Sequence, residues 1–191
     1  LISAYPVLLS VIVITTLYSF KTITRNTDWK DNVALFGNDL KYSDQSTTAQ
    51  YHWGNALLST LYEAETDSLK RSQYVDQAIT AYQRAIEIYP AYADAYLHLG
   101  DAYSKKNKAA DAIPYFIEYN KLMNNSSPVA LKYLGGLYDK LGQFDNALNT
   151  YKTLIAVNTD PEALYFIGLL YNKKQEYAQA IPYLDSCLQY T

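Results

Sequence analysis

The first twenty residues differ in character from everything that follows. Leu1 to Phe20 carry no charged side chain, and fourteen of these positions are apolar or aromatic, with Val7-Leu8-Leu9 and Val11-Ile12-Val13-Ile14 at the centre. A half-buried helix would show one polar face at helical spacing, and this run shows none. About 20 such residues reach across the ~30 Å hydrocarbon layer of a membrane. Tyr5 and Tyr18 stand near the two ends, where interfacial aromatics gather, and Lys21 stops the run. A cleaved signal would need a basic start and a small-residue cleavage site, which Tyr18-Ser19-Phe20-Lys21 does not supply. The pattern therefore predicts a transmembrane helix over residues 1–21, and with it an integral membrane protein.

Residues 22–46 form a junction with a different rhythm. Trp29, Val33, Phe36 and Leu40 recur at helical spacing, while Lys30, Asp31, Asn38 and Lys41 lie elsewhere. This predicts an amphipathic helix starting near Trp29, capped by Thr27 or Asp28. Its polar face is not notably basic, so packing on the next helices is expected rather than rest on a membrane surface.

Beyond the junction the chain repeats. Leu99-Gly100-Asp101-Ala102-Tyr103 returns as Leu134-Gly135-Gly136-Leu137-Tyr138 and as Ile167-Gly168-Leu169-Leu170-Tyr171, with the glycines 35 and 33 residues apart. Twelve residues after each glycine stands Ala112, Ala147 or Ala180, and four later Phe116, Tyr151 or Leu184. Each unit reads as two antiparallel helices. The glycine lets the second helix approach the first, the alanine meets it, and the bulky residue fills the gap beside them. No unit can bury its apolar stripe alone, so neighbours must stack. The pattern resembles the tetratricopeptide repeat, a helical hairpin of about 34 residues. An earlier unit fits through Trp53-Gly54, Ala78, Tyr82 and Pro90, but its glycine and alanine are 24 residues apart, an insertion of twelve. Glu63 to Ser72, rich in charge, is its expected place, as a solvated loop or lengthened helix ends. The fold class is thus all-α, a solenoid of about four repeats over residues 47–92, 93–127, 128–160 and 161–191. Pro114 and Pro182 fall early in second helices, where a slight bend rather than a break is expected. Ile181, Leu184 and Leu188 leave the last helix apolar, and Met123 is the sole methionine. Both observations suit a piece of a longer protein.

Composition removes several classes of function. Sixteen basic residues against nineteen acidic give a net charge of −3, without the basic stripe that nucleic acid demands. Cys187 alone cannot form a disulfide framework, and its place in a second helix suits burial. His52 and His98 stand just before repeat glycines, with no carboxylate or cysteine at ligand spacing, so packing or groove lining is expected of them. No phosphate loop, nucleophile elbow or paired-carboxylate arrangement appears, so no catalytic, cofactor or metal residue is assigned and this chain is not expected to be an enzyme. Asn124-Asn125-Ser126-Ser127 contains two overlapping glycosylation acceptors in a turn between repeats.

The resemblance implies that the first helices line a concave groove for a protein or peptide. Carried onto this sequence, the groove-facing residues are Tyr51, Asn55, Asp94, Leu97, Asp101, Lys105, Lys132, Asp139, Lys140, Tyr165, Leu169 and Lys173. Lys105, Lys140 and Lys173 share one repeat position, and such a line of ammonium groups could hold an acidic peptide end. Solvated helix ends are the plain alternative. Chaperone-binding members of the family clamp a terminal carboxylate with lysines and asparagines; Tyr51 stands where the first of those lysines would be.

The junction carries a second resemblance. Arg25-Asn26-Thr27-Asp28-Trp29-Lys30-Asp31-Asn32, then Leu35-Phe36 and Asp39, then Gly54-Asn55-Ala56-Leu57-Leu58 resemble multi-span membrane proteins with C-terminal tetratricopeptide repeats, related to protein O-mannosyltransferases. In that family the catalytic carboxylates lie in loops between earlier spans, none of them in this chain. The family also places its repeats outside the cytoplasm, in a periplasm or secretory lumen. Two functions follow from these resemblances. One is a membrane-anchored scaffold that binds a protein or peptide. The other is the tail of a membrane glycosyltransferase that presents acceptor proteins to an upstream active site.

Overall fold

The computed structural model describes residues 4–26, 30–158 and 160–189, with side chains for residues 8–23 of the first stretch. Among the described residues the regular structure is helical: α1 (Ala4–Asn26), α2 (Asn32–Asp39), α3 (Thr47–Ala56), a π-helical stretch (Leu57–Tyr62), α4 (Ser68–Ile88), α5 (Ala93–Lys105), α6 (Ala109–Leu122), α7 (Pro128–Lys140), α8 (Phe144–Val157), α9 (Pro161–Lys173) and α10 (Tyr177–Leu188). Four hairpins follow one another: α3 with α4, α5 with α6, α7 with α8 and α9 with α10. Each second helix also packs on the first helix of the next hairpin.

The expected membrane span is corrected by α1. Among the described residues no helix is long and apolar enough to cross a membrane. Ser10, Thr15, Thr16, Ser19 and Thr22 break the apolar positions into short runs, the longest being Val11–Ile14, and Lys21 falls within the helix. Thr15, Thr16 and Thr22 turn their hydroxyls back onto carbonyls of the preceding turn, at 2.8, 2.7 and 2.8 Å. Assignment as an integral membrane protein through residues 1–21 falls with the span, and with it the placement of the repeats in a periplasm or lumen. Leu9, Ile12 and Leu17 are exposed on different faces of α1.

The junction helix starts at Asn32, later than its apolar pattern suggests. Asp31 caps it, its carboxylate accepting from the Ala34 N–H at 2.8 Å. Thr27, Asp28 and Trp29 lie outside the described residues. α2 packs on α3: Phe36 stacks on His52 with ring centroids 4.9 Å apart, and Gly37 lies against the Trp53 indole.

The twelve extra residues of the first hairpin are taken up by both helices. Helical backbone runs from Thr47 through the π-helical stretch to Ala64, and α4 is 21 residues long against 14 in α6 and α8. Only Glu65, Thr66 and Asp67 intervene. Helix starts are set by polar caps. Asp67 accepts from Leu69 and Lys70 N–H, Ser127 from Ala130, and Asp160 from Glu162 and Ala163. The later hairpins turn through one left-handed residue at the same repeat position: Asn107 (φ 60°), Gly142 (φ 71°) and Gln175 (φ 62°). α6 and α10 run on through Pro114 and Pro182.

Each hairpin closes on its glycine. A Cβ added at Gly54, Gly100, Gly135 or Gly168 would stand 2.5–2.8 Å from Tyr82, Phe116, Tyr151 or Leu184 respectively. Ala78, Ala112 and Ala147 are wholly buried. Ion pairs tie successive hairpins together at the solenoid edge. Lys106, just after α5, binds Asp76 of α4, and Lys174, just after α9, binds Asp145 of α8 at 2.7 Å. At the middle junction the corresponding residues are Leu141 and Ala110, so the charge pair is absent there.

Candidate functional site

The residue two places before each repeat glycine is aromatic: His52, His98, Tyr133 and Phe166. Each stacks on a ring from the helix before it. Phe36 pairs with His52, Tyr82 with His98 (5.8 Å, 26°), Phe116 with Tyr133 (4.6 Å, 10°) and Tyr151 with Phe166 (5.3 Å, 19°). Tyr82, Phe116 and Tyr151 thus sit between their own hairpin's glycine and the next hairpin's first helix. They bond successive units, and they carry His98, Tyr133 and Phe166 as a row of rings along the face of the first helices.

Two cavities open on that face. The first, about 510 Å³, is lined by Asn55, Leu58, Ser59, Glu63, Tyr82, His98, Asp101 and Lys105. The Tyr82 hydroxyl donates to Asn55 Oδ1 at 2.7 Å. Burial pushes the His98 pKa down, against the pull of Asp101 and Asp94, so the ring on Tyr82 is the neutral imidazole near pH 7. Burial likewise pushes the Tyr82 and Tyr151 phenols far up, and both stay protonated. The second cavity, about 530 Å³, is more apolar: Val129, Tyr133, Gly136, Leu137, Tyr151 and Phe166 line it, with Lys132, Lys140 and Glu162 at its rim.

Of the twelve residues read as groove-facing, Asn55, Asp101 and Lys105 line the first cavity, and Lys132 and Lys140 the second. Tyr51 lies in an aromatic cluster with His52, Tyr82, Tyr92 and His98, at 5.2–6.1 Å. Leu97 packs on the core around Phe116, and Leu169 is half-buried. Asp94 and Tyr165 are exposed, Tyr165 tilted against Phe166.

The three lysines at one repeat position stand in unlike surroundings. Lys105 lies 3.8 Å from Asp101 and 3.9 Å from Glu63. Lys173 reaches across to both Asp139 oxygens, at 2.6 and 2.7 Å. Lys140 has no carboxylate partner among the described residues. Lys132 binds Glu162, which holds its ammonium pKa up, and approaches Asp160 at 3.9 Å. The lysine line is thus largely a set of rungs between first helices, with one open charge beside the apolar cavity.

The rings Tyr82, Tyr133, Tyr151 and Phe166, and the space left by Gly136, were absent from the sequence-based set, and His98 was expected there only as a packing or groove-lining residue. The signal for three of them is the aromatic residue recurring two before each glycine. Among the described residues no cluster of three or more His, Cys, Asp or Glu is placed to hold a metal ion. Cys187 is a half-buried free thiol.

Comparison with known proteins bears on the same region. Profiles of the tetratricopeptide repeat match residues 69–107, 93–122 and 134–189, together more than half of the chain. No curated protein matches the sequence. Among solved structures, MamA superposes with a TM-score of 0.72 at 22% identity, over 88% of this chain and 91% of that one. MamA from Desulfovibrio magneticus RS-1 gives 0.69 at 15%, over 92% of each. YrrB, described as a TPR protein with an unusual peptide-binding site, gives 0.67 at 20%, over 92% of this chain and 81% of that one. None of these comparisons relates the chain to the O-mannosyltransferases. The matched profiles run from α4 to α10 and take in the Gly100–Phe116, Gly135–Tyr151 and Gly168–Leu184 contacts, and the chain is a tetratricopeptide-repeat protein.

Proposed function

We propose that the face of the first helices binds a peptide segment of a partner protein, anchored in the cavity between Tyr133 and Phe166. The observation that carries this reading is the cavity's make-up. Tyr133 is 41% exposed although its ring is stacked, Gly136 leaves the floor open, and Lys140, without a carboxylate partner among the described residues, stands at the rim. An apolar slot with a few polar groups at its edge is the usual form of a ligand site. The preferred ligand is an aromatic or aliphatic side chain with an acidic neighbour. YrrB's described peptide site, on the same fold, supports the reading.

Panning a random peptide library on the immobilised chain tests it. Enriched peptides should carry that apolar–acidic pair. Their affinity should fall at least about tenfold, ~1.4 kcal/mol, with Gly136→Trp, which fills the slot, and with Lys140→Glu. Neither variant should unfold at a lower temperature than the parent, since a Cβ at Gly136 meets only the Tyr151 hydroxyl, at 3.7 Å. Failure to enrich any sequence, or equal affinity for the filled variant, would remove the site from consideration.

A further inference from the structure

A third cavity, about 260 Å³, lies where α4 begins, beside the end of α5. Tyr62, Ser68, Arg71, Ser72, Val75, Lys105 and Lys106 line it. Three cations and two hydroxyls thus face one small space, and no carboxylate is among the lining residues. Lys106 is held by Asp76, and Lys105 by Glu63 and Asp101, which belong to the neighbouring groove cavity. Arg71 has no carboxylate partner among the described residues. Its guanidinium instead lies over the Tyr62 ring, 4.1 Å from the centroid, and Lys105 approaches the same ring at 5.2 Å. The Arg71 Nε is buried and has no hydrogen-bond acceptor.

That combination needs explaining. Of the three cations Arg71 alone has no carboxylate among the described residues, and a buried N–H without an acceptor is a lasting cost. A single oxyanion answers both. It supplies an acceptor to Nε, a charge to the guanidinium, and acceptors to the Ser68 and Ser72 hydroxyls. A guanidinium over an aromatic ring keeps its forked N–H donors, the geometry that suits such a group. The Asp67 carboxylate already occupies the start of α4, so the attraction comes from the side chains and not from the helix terminus. At about 30 Å³ per water, the space takes a phosphoryl group with part of its hydration.

We propose that this cavity binds a phosphoryl dianion, either carried on a partner's phosphoserine or free as inorganic phosphate. The site is separate from the apolar slot and does not depend on what fills it. The test is a titration of the intact chain with inorganic phosphate and with N-acetyl-phosphoserine amide, against chloride at equal ionic strength, followed by amide NMR shifts. Saturable shifts are expected at residues 68–75 and 105–106. Arg71→Gln and Lys106→Gln should each weaken binding at least about tenfold, with Gly136→Trp leaving it unchanged. Tighter binding of the phosphoserine amide assigns the site to a modified partner; tighter binding of phosphate assigns it to the free ion. If neither compound gives saturable shifts, or the shifts persist in both cation variants, the proposal is overturned. Should Arg71→Gln unfold, Lys106→Gln alone decides, because Lys106 lies on the surface side of the site with Asp76.

Discussion

Replacing Phe116 with alanine is expected to lower the unfolding free energy by about 3–5 kcal/mol. Phe116 is wholly buried. One side of its ring lies on Gly100, where an added Cβ would come within 2.8 Å, and the other stacks on Tyr133 at 4.6 Å. Around it close Ala109, Ala112, Leu134 and Leu137. The ring therefore serves its own hairpin and the next one together. In a linear stack each unit contacts only its neighbours, so weakening one junction also uncouples the units on either side. No Lys–Asp pair reinforces this junction, unlike those at Lys106–Asp76 and Lys174–Asp145. Thermal unfolding followed by circular dichroism should change from one transition to two. A single transition displaced by less than ~1 kcal/mol would show that the stack is held elsewhere.

The repeat was legible because its spacing is a packing rule. Gly100, Gly135 and Gly168 each meet a bulky residue sixteen places on, and that distance is set by the last turn and a half of one helix, a short turn and two turns of the next. The first hairpin was harder to read. Its glycine still meets Tyr82, but the path between them is longer, and sequence cannot tell a loop from two extended helices. The first segment was misread for a different reason. Counting Leu1 to Phe20 as uncharged passed over the hydroxyls of Ser10, Thr15, Thr16 and Ser19 and the charge of Lys21, and among the described residues no helix is long and apolar enough to cross a membrane.

The binding face was legible only in part, for a physical reason. A family pattern gives the direction in which a helix position points, and on that ground Asn55, Asp101, Lys105, Lys132 and Lys140 were placed at the cavities. It does not say which charges will find each other. Lys173 and Asp139, both read as groove-facing, are consumed by one another, at 2.6 Å. Nor does direction reveal depth. Tyr151 belongs to a second helix, yet its ring reaches through the gap over Gly135 to the cavity wall, which only the assembled stack shows.

The adjacent glycines of α7 should respond to alanine with opposite signs. Both lie in the helix interior, where alanine is favoured over glycine by up to ~1 kcal/mol. Their surroundings decide the rest. A Cβ at Gly135 would stand 2.6–2.8 Å from three atoms of the Tyr151 ring. That ring is buried and stacked on Phe166 at 5.3 Å, so it cannot retreat without opening the junction to α9. Forcing a methyl into such a contact costs about 1–3 kcal/mol, beyond what helix propensity returns. A Cβ at Gly136 meets only the Tyr151 hydroxyl, at ordinary contact distance. Gly136→Ala is therefore expected to gain up to ~1 kcal/mol, and Gly135→Ala to lose stability, a separation of about 1–3 kcal/mol between neighbours in one helix. Urea unfolding measures both, and unchanged slopes would confirm that the same cooperative unit is being read. Equal effects would mean that the glycine-to-ring contact does not hold this hairpin closed. A stabilised Gly136→Ala would indicate that glycine at this position serves the open slot between Tyr133 and Phe166 rather than the fold.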